Sequence, residues 1–207
     1  MHSIYKIIER TAFKWSRLKT ILWYKPCFQK MGKYCLLRKP IFLTPNSIIF
    51  GDNVYIGFHA RIEGILQYQS EKFHPQIVLN DGVSIQQNLH LTCAESVEIG
   101  KNTAIAANVS ITDIHHPYDD VNLSIEFQNI ISKPVYIGED CKIYNNSVIL
   151  QGTKIGKHCT IGANSVVSGE FPDYCIIVGA PAKIIKRYSF EKQKWLKTDS
   201  EGNFTER

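Results

Sequence analysis

The sequence predicts an all-β solenoid whose short strands are built from six-residue units. Three observations lead to this prediction: bulky apolar residues recur at a period of six, turn-forming residues stand three positions after them, and compact residues stand four positions after them. A period of six matches neither the face of a helix nor the two-residue alternation of a single strand. Each unit is therefore expected to form a short strand and a corner, with three units closing one coil of a parallel β-helix.

The repeat is regular over most of the chain. The apolar positions are Phe50, Ile56 and Ile62; Leu79, Ile85 and Leu91; Ile99, Ile105 and Ile111; and Ile137, Ile143, Ile149, Ile155, Ile161 and Val167. The corner positions hold types that tolerate a left-handed backbone, namely Asn53, His59, Gly82, Asn88, Asn102, Asn108, Asp140, Asn146, Gly152, His158 and Asn164. The compact residues that follow, such as Val54, Cys141 and Ser147, are expected to point inward.

The length of 207 residues suits one domain with a substantial core. We expect an N-terminal helical or capping segment over 1–45, the solenoid over 46–183, and a C-terminal helix and tail over 184–207. The end of a coil exposes strand edges, so capping segments are expected at the ends of the solenoid.

Residues 1–30 mix basic side chains with large apolar ones and are expected to form a helix. Two interpretations of this helix stay open. It can pack over the end of the solenoid as a cap, or it can make a peripheral contact with an anionic membrane surface.

Composition and charge exclude several classes of protein. The net charge of +5 is modest, and without a concentrated basic stretch interleaved with aromatics no nucleic-acid partner is expected. The chain lacks an apolar stretch of about 20 residues and a recognisable signal peptide, so a cytoplasmic protein is expected, with the inner face of the membrane as the site of any peripheral contact. Cys141 and Cys159 fill inward positions, and CxxC spacing is absent, so neither disulfides nor a zinc site is expected.

Two segments interrupt the repeat, 65–76 and 112–134, and loops that leave a regular scaffold often carry functional sites. The second contains His115 and His116 together with Asp113, Asp119 and Asp120. Imidazole and carboxylate groups at this spacing can form a general base with an orienting partner. The same residues can equally serve as loop residues that cap local turns.

Metal and nucleotide motifs are weak in this chain. Histidines are numerous, but His59 and His158 are explained as corner residues, and the rest do not form a convincing set of three ligands, so no metal is expected. Neither a GxxxxGK[ST] loop nor a GxGxxG turn is present.

Four motifs carry a family resemblance: Asn-Val-Ser-Ile-Thr-Asp-Ile-His-His-Pro over 108–117, Pro-Val-Tyr-Ile-Gly over 134–138, Ile-Gly-Ala-Asn-Ser-Val-Val over 161–167, and Val-Gly-Ala-Pro-Ala-Lys-Ile-Ile-Lys over 178–186. With these motifs, residues 46–187 resemble the hexapeptide-repeat acyltransferases, and in particular the galactoside and polysaccharide O-acetyltransferases. The resemblance implies a left-handed parallel β-helix and a homotrimer with active sites between subunits.

The resemblance also implies roles for individual residues. Aligned without gaps from Asn108, His116 falls on the family's catalytic base, and Asp113 or Asp119 is expected to hold its imidazole. The implied co-substrate is acetyl-CoA, with Asn145 lining its thioester end, Ala163 meeting it through a backbone N–H, and Lys183 and Lys186 near its phosphates.

The acceptor pocket departs from the family pattern. Lys142 replaces the usual tryptophan, and Tyr144 replaces the glycine after it. Gln86, His90 and His115 are further candidates for contact with the acceptor. Asn88 is either a catalytic-site amide or simply a corner residue.

The resemblance implies an acetyl-CoA-dependent O-acetyltransferase, and the resemblance alone implies that the acceptor is a saccharide hydroxyl of a surface polysaccharide or its precursor. His116 would act as general base with no covalent intermediate. Two alternatives stay open: an N-acetyltransferase acting on an amino-sugar nucleotide, and a non-catalytic β-helical binding or assembly protein.

Overall fold

The N-terminal segment is helical up to residue 27. The computed structural model describes residues 2–205, so residues 1, 206 and 207 of the two predicted end segments lie outside the described residues. Helix α1 spans His2–Lys19 and continues into a π-helical turn, Thr20–Tyr24, and a 3₁₀ turn, Lys25–Cys27. Two further 3₁₀ turns span Pro45–Ser47 and Ile125–Phe127. The predicted N-terminal helix is therefore confirmed.

The rest of the described chain consists mainly of short strands. In chain order these are β1 Lys30–Met31, β2 Leu36–Leu37, β3 Phe42–Leu43, β4 Ile48–Phe50, β5 Tyr55–Ile56, β6 Arg61–Gly64, β7 Gln67–Tyr68, β8 Glu71–Lys72, β9 Gln76–Leu79, β10 Ser84–Ile85, β11 His90–Cys93, β12 Ser96–Ile99 and β13 Ala104–Ile105. They continue with β14 Ser110–Thr112, β15 Ile114–His115, β16 Ile131–Ser132, β17 Val135–Ile137, β18 Lys142–Ile143, β19 Val148–Ile149, β20 Lys154–Ile155, β21 Thr160–Ile161, β22 Val166–Val167, β23 Glu170–Phe171, β24 Cys175–Gly179, β25 Ala182–Ser189 and β26 Lys194–Lys197.

Three sheets hold most of these strands, and the chain visits them in turn. Sheet A has the order β1-β4-β9-β12-β17-β20-β23, sheet B the order β2-β5-β10-β13-β18-β21-β24-β25-β26, and sheet C the order β22-β19-β14-β11-β6-β3. From β1 to β24 the strands within each sheet are parallel. The predicted β class with parallel strands is confirmed.

The six-residue period sets the register between strands. In sheet B, the aligned partners form one apolar column, Leu37, Ile56, Ile85, Ile105, Ile143, Ile161 and Ile177. The column is buried along its whole length, because side chains of one face of every strand point into the space that the three sheets enclose. The predicted compact residues at the fourth position are buried there as well.

The predicted corners have the expected backbone. All the corner residues named above have φ between 54° and 72°. On the corners between sheets B and C, asparagine side chains also stack: Asn88 donates to Asn108 at 2.8 Å, Asn108 to Asn146 at 3.1 Å, and Asn146 to Asn164 at 3.1 Å. Asparagine thus adopts the left-handed backbone that the turn requires, and its side chain also links one corner to the next.

The sheets begin earlier in the chain than residue 46. Strands β1, β2 and β3 pair in parallel with β4, β5 and β6, so residues 30–43 already belong to the three sheets. The corners between these strands use Tyr34 and Lys39, with φ of 60° and 48°. Neither residue is a typical corner type, so the sequence does not reveal these first strands.

The predicted C-terminal helix is wrong. Strands β25 and β26 instead extend sheet B as antiparallel neighbours of β24. They bury Ile184 and Leu196 and cover a strand edge that would otherwise be open to other chains. The contact of Tyr188 with Trp195, with ring centroids 5.6 Å apart, joins the two strands.

We expect the Ile143→Ala substitution to lower the free energy of unfolding by about 2–5 kcal/mol, because it opens a cavity in the middle of the buried column. The matched control is Ile185→Ala, which removes the same atoms from a side chain that is 40% exposed. Urea unfolding followed by circular dichroism measures both. Equal losses in the two variants would contradict the assigned register.

Candidate functional site

A cavity of about 460 Å³ lies on the outer face of sheet C, between the two segments that interrupt the repeat. Its floor consists of side chains on the solvent side of β6, β11 and β14. In the strand register, His90 aligns with Arg61 on one side and with Ser110 on the other, while Thr92 aligns with Glu63 and Thr112. The cavity therefore presents two polar rows to a ligand.

Hydrogen bonds fix these rows. The Arg61 guanidinium donates to the Glu63 carboxylate, with a distance of 2.8 Å from Nε, and its second nitrogen also contacts that carboxylate. The hydroxyls of Thr92 and Thr112 are 3.0 Å apart, and Thr112 Oγ1 also accepts from the backbone N–H of Ile114. The floor thus combines a charged pair, hydroxyls and an imidazole.

His116 forms part of the cavity wall and is exposed to solvent. It follows β15, which pairs in antiparallel fashion with β16 and so closes the base of the long loop. The Nδ1 atom of His116 lies 3.5 Å from the Tyr68 hydroxyl, and the two rings meet edge to face with centroids 5.4 Å apart. Of the two adjacent histidines, this one faces the cavity.

Tyr68 connects the two loops. Its hydroxyl donates to the backbone carbonyl of Glu126 at 2.8 Å and lies 3.2 Å from the Glu126 carboxylate. The Gln69 amide donates to the same carbonyl at 3.1 Å. Desolvation and the Glu126 carboxylate raise the pKa of Tyr68.

Asp113 does not hold the imidazole, contrary to the expectation from sequence. It is fully buried, and its carboxylate accepts from the backbone N–H groups of Ala94, Glu95 and Ser96 at 2.8–2.9 Å. Cys93 Sγ adds a contact of 3.3 Å. Burial raises the pKa of Asp113, and the backbone donors oppose that rise. These bonds fix the short turn between β11 and β12.

The other residues of the second loop point elsewhere. His115 lies on β15 opposite Ile131, and its ring packs at 5.7 Å from that of Tyr118. Asp119 is exposed. Neither residue lines the cavity.

Only some of the remaining acceptor candidates lie in the cavity. His90 lies in the cavity, as noted. Asn88 sits on the corner between sheets B and C and is bonded to Asn108 there, and Gln86 is exposed just before it. Lys142 is on β18 in sheet B, with Nζ 5.7 Å from the ring of Tyr144. The cavity thus contains His90 and His116 of the predicted site residues.

The expected acetyl-CoA residues lie along sheet B and its border with sheet C. Asn145 and Ala163 are exposed residues next to the corner residues Asn146 and Asn164. Lys183 and Lys186 are on β25, aligned with Val178 and Ile176 of β24. His116, in contrast, follows the far ends of the sheet C strands. From Asn108 to Thr112 an extended chain covers about 13 Å at about 3.3 Å per residue. His116 and the expected acetyl-CoA residues therefore lie at opposite ends of the sheet C strands.

Sequence reasoning missed Arg61, Glu63, Thr92 and Thr112, and it noted Tyr68 only as a loop residue. A signal for the first four was present, because each stands directly before or after an inward apolar residue of the repeat, at Ile62, Leu91 or Ile111. Those positions face outward, and stacking of the units aligns them. For Tyr68 the repeat offers no comparable signal.

Two further observations concern the part of the chain that the structure describes. No helix in it is both long and apolar enough to cross a membrane. Within residues 2–205, three or more His, Cys, Asp or Glu side chains do not come together in a way that could hold a metal ion.

Comparison with known proteins places this fold among transferases. Residues 134–169 match the family described as bacterial transferase hexapeptide (six repeats). The chain is 34% identical over 170 residues to WbbJ of Escherichia coli (strain K12), named as a lipopolysaccharide biosynthesis O-acetyl transferase, and the match covers 78% of this chain and 83% of that protein. It is 32% identical to the galactoside O-acetyltransferase of the same organism, over 78% of this chain and 65% of that protein.

Solved structures show the same fold at lower identity. The hexapeptide-repeat acetyltransferase VCA0836 from Vibrio cholerae superposes with a TM-score of 0.59 at 19% identity, over 91% of this chain and 92% of that one. A mutant of AntD, an N-acyltransferase from Bacillus cereus, in complex with dTDP-4-amino-4,6-dideoxyglucose and coenzyme A, superposes with a TM-score of 0.57 at 19% identity, over 82% and 88%. At these identities the likeness concerns the fold alone.

We expect the Asp113→Asn substitution to lower the free energy of unfolding by about 1–3 kcal/mol, because the amide nitrogen cannot accept from the buried backbone donors that the carboxylate satisfies. Thermal and urea unfolding measure the loss. Asp119→Asn, the same change at an exposed position, is the control and should leave stability unchanged. A stable Asp113→Asn protein would contradict this structural role.

Proposed function

Because the chain belongs to the hexapeptide-repeat acyltransferase family, we propose that it is an acetyl-CoA-dependent O-acetyltransferase acting on a saccharide hydroxyl. The observation that carries the proposal is His116, placed at the wall of a solvent-open cavity whose floor is rich in hydrogen-bonding groups. Such a floor suits a sugar, which offers many hydroxyls and little apolar surface. The acceptor is a surface polysaccharide or its precursor, and the reaction takes place in the cytoplasm.

The contact with Tyr68 determines which nitrogen of His116 is the base. The Tyr68 hydroxyl uses its single proton in the bond to the Glu126 carbonyl, so it presents a lone pair to Nδ1. Nδ1 therefore carries the imidazole proton, and Nε2 is free to accept one. The separation of 3.5 Å is long, and contacts of this kind shorten when substrate binds.

The reaction is a direct transfer. Nε2 of His116 removes the proton from the acceptor hydroxyl while that oxygen attacks the thioester carbonyl carbon. The carbon–sulfur bond then breaks, and the imidazolium returns its proton to the departing sulfur. An enzyme-bound acyl group is not needed, since the thioester is already reactive.

Acetyl-CoA would bind along the border of sheets B and C, at Asn145, Ala163, Lys183 and Lys186. Exposed backbone at Ala163 and ammonium groups on β25 suit an extended ligand that carries phosphates. This border and His116 lie at opposite edges of sheet C, which supports a homotrimer in which the base of one subunit meets the co-substrate held by its neighbour. The three sheets would then wind as a left-handed parallel β-helix, with the cavity between subunits.

The chemical identity of the acceptor group distinguishes this proposal from the N-acetyltransferase alternative. An amine of an amino-sugar nucleotide would use the same base. The hydroxyl is favoured by the 34% identity to a protein named as an O-acetyl transferase. Lys142 and Tyr144 stand close to Asn145 and would line the thioester end of the channel.

We expect His116→Ala to lower the rate of acetyl-CoA-dependent thiol release roughly 100- to 10,000-fold, which is the usual contribution of a general base. His115→Ala is the matched control and should retain activity, because that side chain lies against Tyr118 outside the cavity. The assay compares sugars with amino-sugar nucleotides as acceptors. Turnover with amines alone would contradict the O-acetyltransferase proposal and support the N-acetyltransferase alternative. If the unmodified protein neither turned over nor bound acetyl-CoA, the result would support the non-catalytic binding protein.

We expect Tyr68→Phe to lower kcat roughly 10- to 100-fold, because a hydrogen bond to a group that becomes charged is worth roughly 1.5–3 kcal/mol. The KM for acetyl-CoA should not change, since the proposed co-substrate residues lie at the other edge of the sheet. Tyr118→Phe, which removes one hydroxyl from an exposed tyrosine of the second loop, is the control. A rise in KM with unchanged kcat would show that Tyr68 serves binding and does not position His116.

A further inference from the structure

Charge is distributed very unevenly along this chain. Residues 1–50 contain ten lysines and arginines and a single acidic residue, Glu9, which gives this segment a net charge of +9. Since the whole chain carries +5, the remaining 157 residues carry −4. A basic end on an otherwise acidic protein indicates an anionic partner for that end.

Helix α1 turns one side to the body of the protein. Phe13 packs beside Arg38, with the guanidinium 5.9 Å from the ring, and Arg17 lies 5.8 Å from the ring of Tyr34. Just after the helix, Thr20 is buried and accepts from the backbone N–H of Leu37 at 3.0 Å. These contacts fix the rotation of the helix about its axis.

The opposite side of the helix is an apolar stripe that faces solvent. At about 100° per residue, its members fall within one sector on the side away from Phe13 and Arg17. They are Ile4, Ile7, Ile8, Trp15 and Leu18, each between 44% and 64% exposed. A helix that served only to cap the sheets would turn these side chains inward.

Basic side chains border the stripe. Arg10 and Lys14 lie along one edge, and Lys19 lies along the other, with Nζ 5.5 Å from the ring of Trp15 and 5.7 Å from that of Trp23. Long basic side chains can extend toward phosphates while their methylene groups stay on apolar surface. Tryptophan prefers the same boundary between apolar and polar layers.

We propose that the apolar stripe and its basic border bind the surface of an anionic phospholipid membrane, with the helix axis parallel to the surface. The combination of an apolar face, aromatic residues and flanking lysines and arginines is the one that inserts between headgroups. A second copy of this chain fits less well, because pairing two such helices would bring basic borders together.

The membrane would lie close to the candidate acceptor cavity. Strand β3 is at the end of sheet C and pairs with β6, which supplies Arg61 to the cavity floor. Neighbouring strands are separated by about 5 Å, so the floor begins only one strand from the end of sheet C. If the proposed function holds, an acceptor carried on a lipid would reach His116 without leaving the membrane. Membrane binding itself does not depend on that function.

The test is co-sedimentation of the full chain with vesicles of phosphatidylcholine alone and of phosphatidylcholine mixed with phosphatidylglycerol. We expect binding to the mixed vesicles that weakens as salt is added, and roughly tenfold weaker binding for Trp15→Glu and for Lys14→Glu. Phe190→Glu and Lys192→Glu, at exposed positions near the other end of the chain, are the matched controls and should bind like the unmodified protein.

Two outcomes would overturn the proposal: no binding to the mixed vesicles at low salt, or binding unaffected by Trp15→Glu. In the first case, a change in molar mass in Trp15→Glu, measured by light scattering, would identify the stripe as a contact between copies of the chain. Circular dichroism checks that each variant is folded. Thiol release with a soluble acceptor should be unchanged in Trp15→Glu, which separates this result from any failure of the proposed enzyme activity.

Discussion

The stacking of equivalent residues on neighbouring parallel strands is the constraint on which the rest of this structure depends. Each strand contributes few residues, so no strand could be stable alone. Stability comes from columns such as the one from Leu37 to Ile177, in which every residue between the two ends lies between two similar side chains. The same alignment acts on the outer surface, where it places Arg61, His90 and Ser110 side by side although they are far apart in the sequence.

Most of the fold can be predicted from the sequence, because the repeat indicates where each short strand lies and where each corner falls. Prediction fails where the local signal is weak. Tyr34 and Lys39 occupy corners without being corner types, so the strands that they join were assigned to the cap. Residues 184–197 have no six-residue period, and their mixture of basic and apolar residues resembles a helix. The open edge of β24 decides their structure, and that edge exists only once the sheets have formed.

The candidate site was predictable in part for a similar reason. His116 was found because a motif fixes its position, and His90 because it faces outward from the repeat. The prediction that Asp113 holds the imidazole was wrong, although a carboxylate next to histidines suggests a catalytic partner. In the structure this carboxylate is buried and accepts hydrogen bonds from backbone N–H groups. The contact of Tyr68 with His116 joins residues 48 positions apart through two irregular loops, and sequence periodicity carries no information about such a contact.

Both loops leave the sheets at the same kind of corner, between sheet C and sheet A, and the coil between them crosses that corner by the short turn that Asp113 holds. Each loop returns to the position in register that an uninterrupted unit would occupy. Lengthening or replacing either loop therefore shifts no strand, and each doubling of loop length costs only about 0.6 kcal/mol of closure entropy. The two loops can thus differ in length and sequence while the stacked core remains as it is.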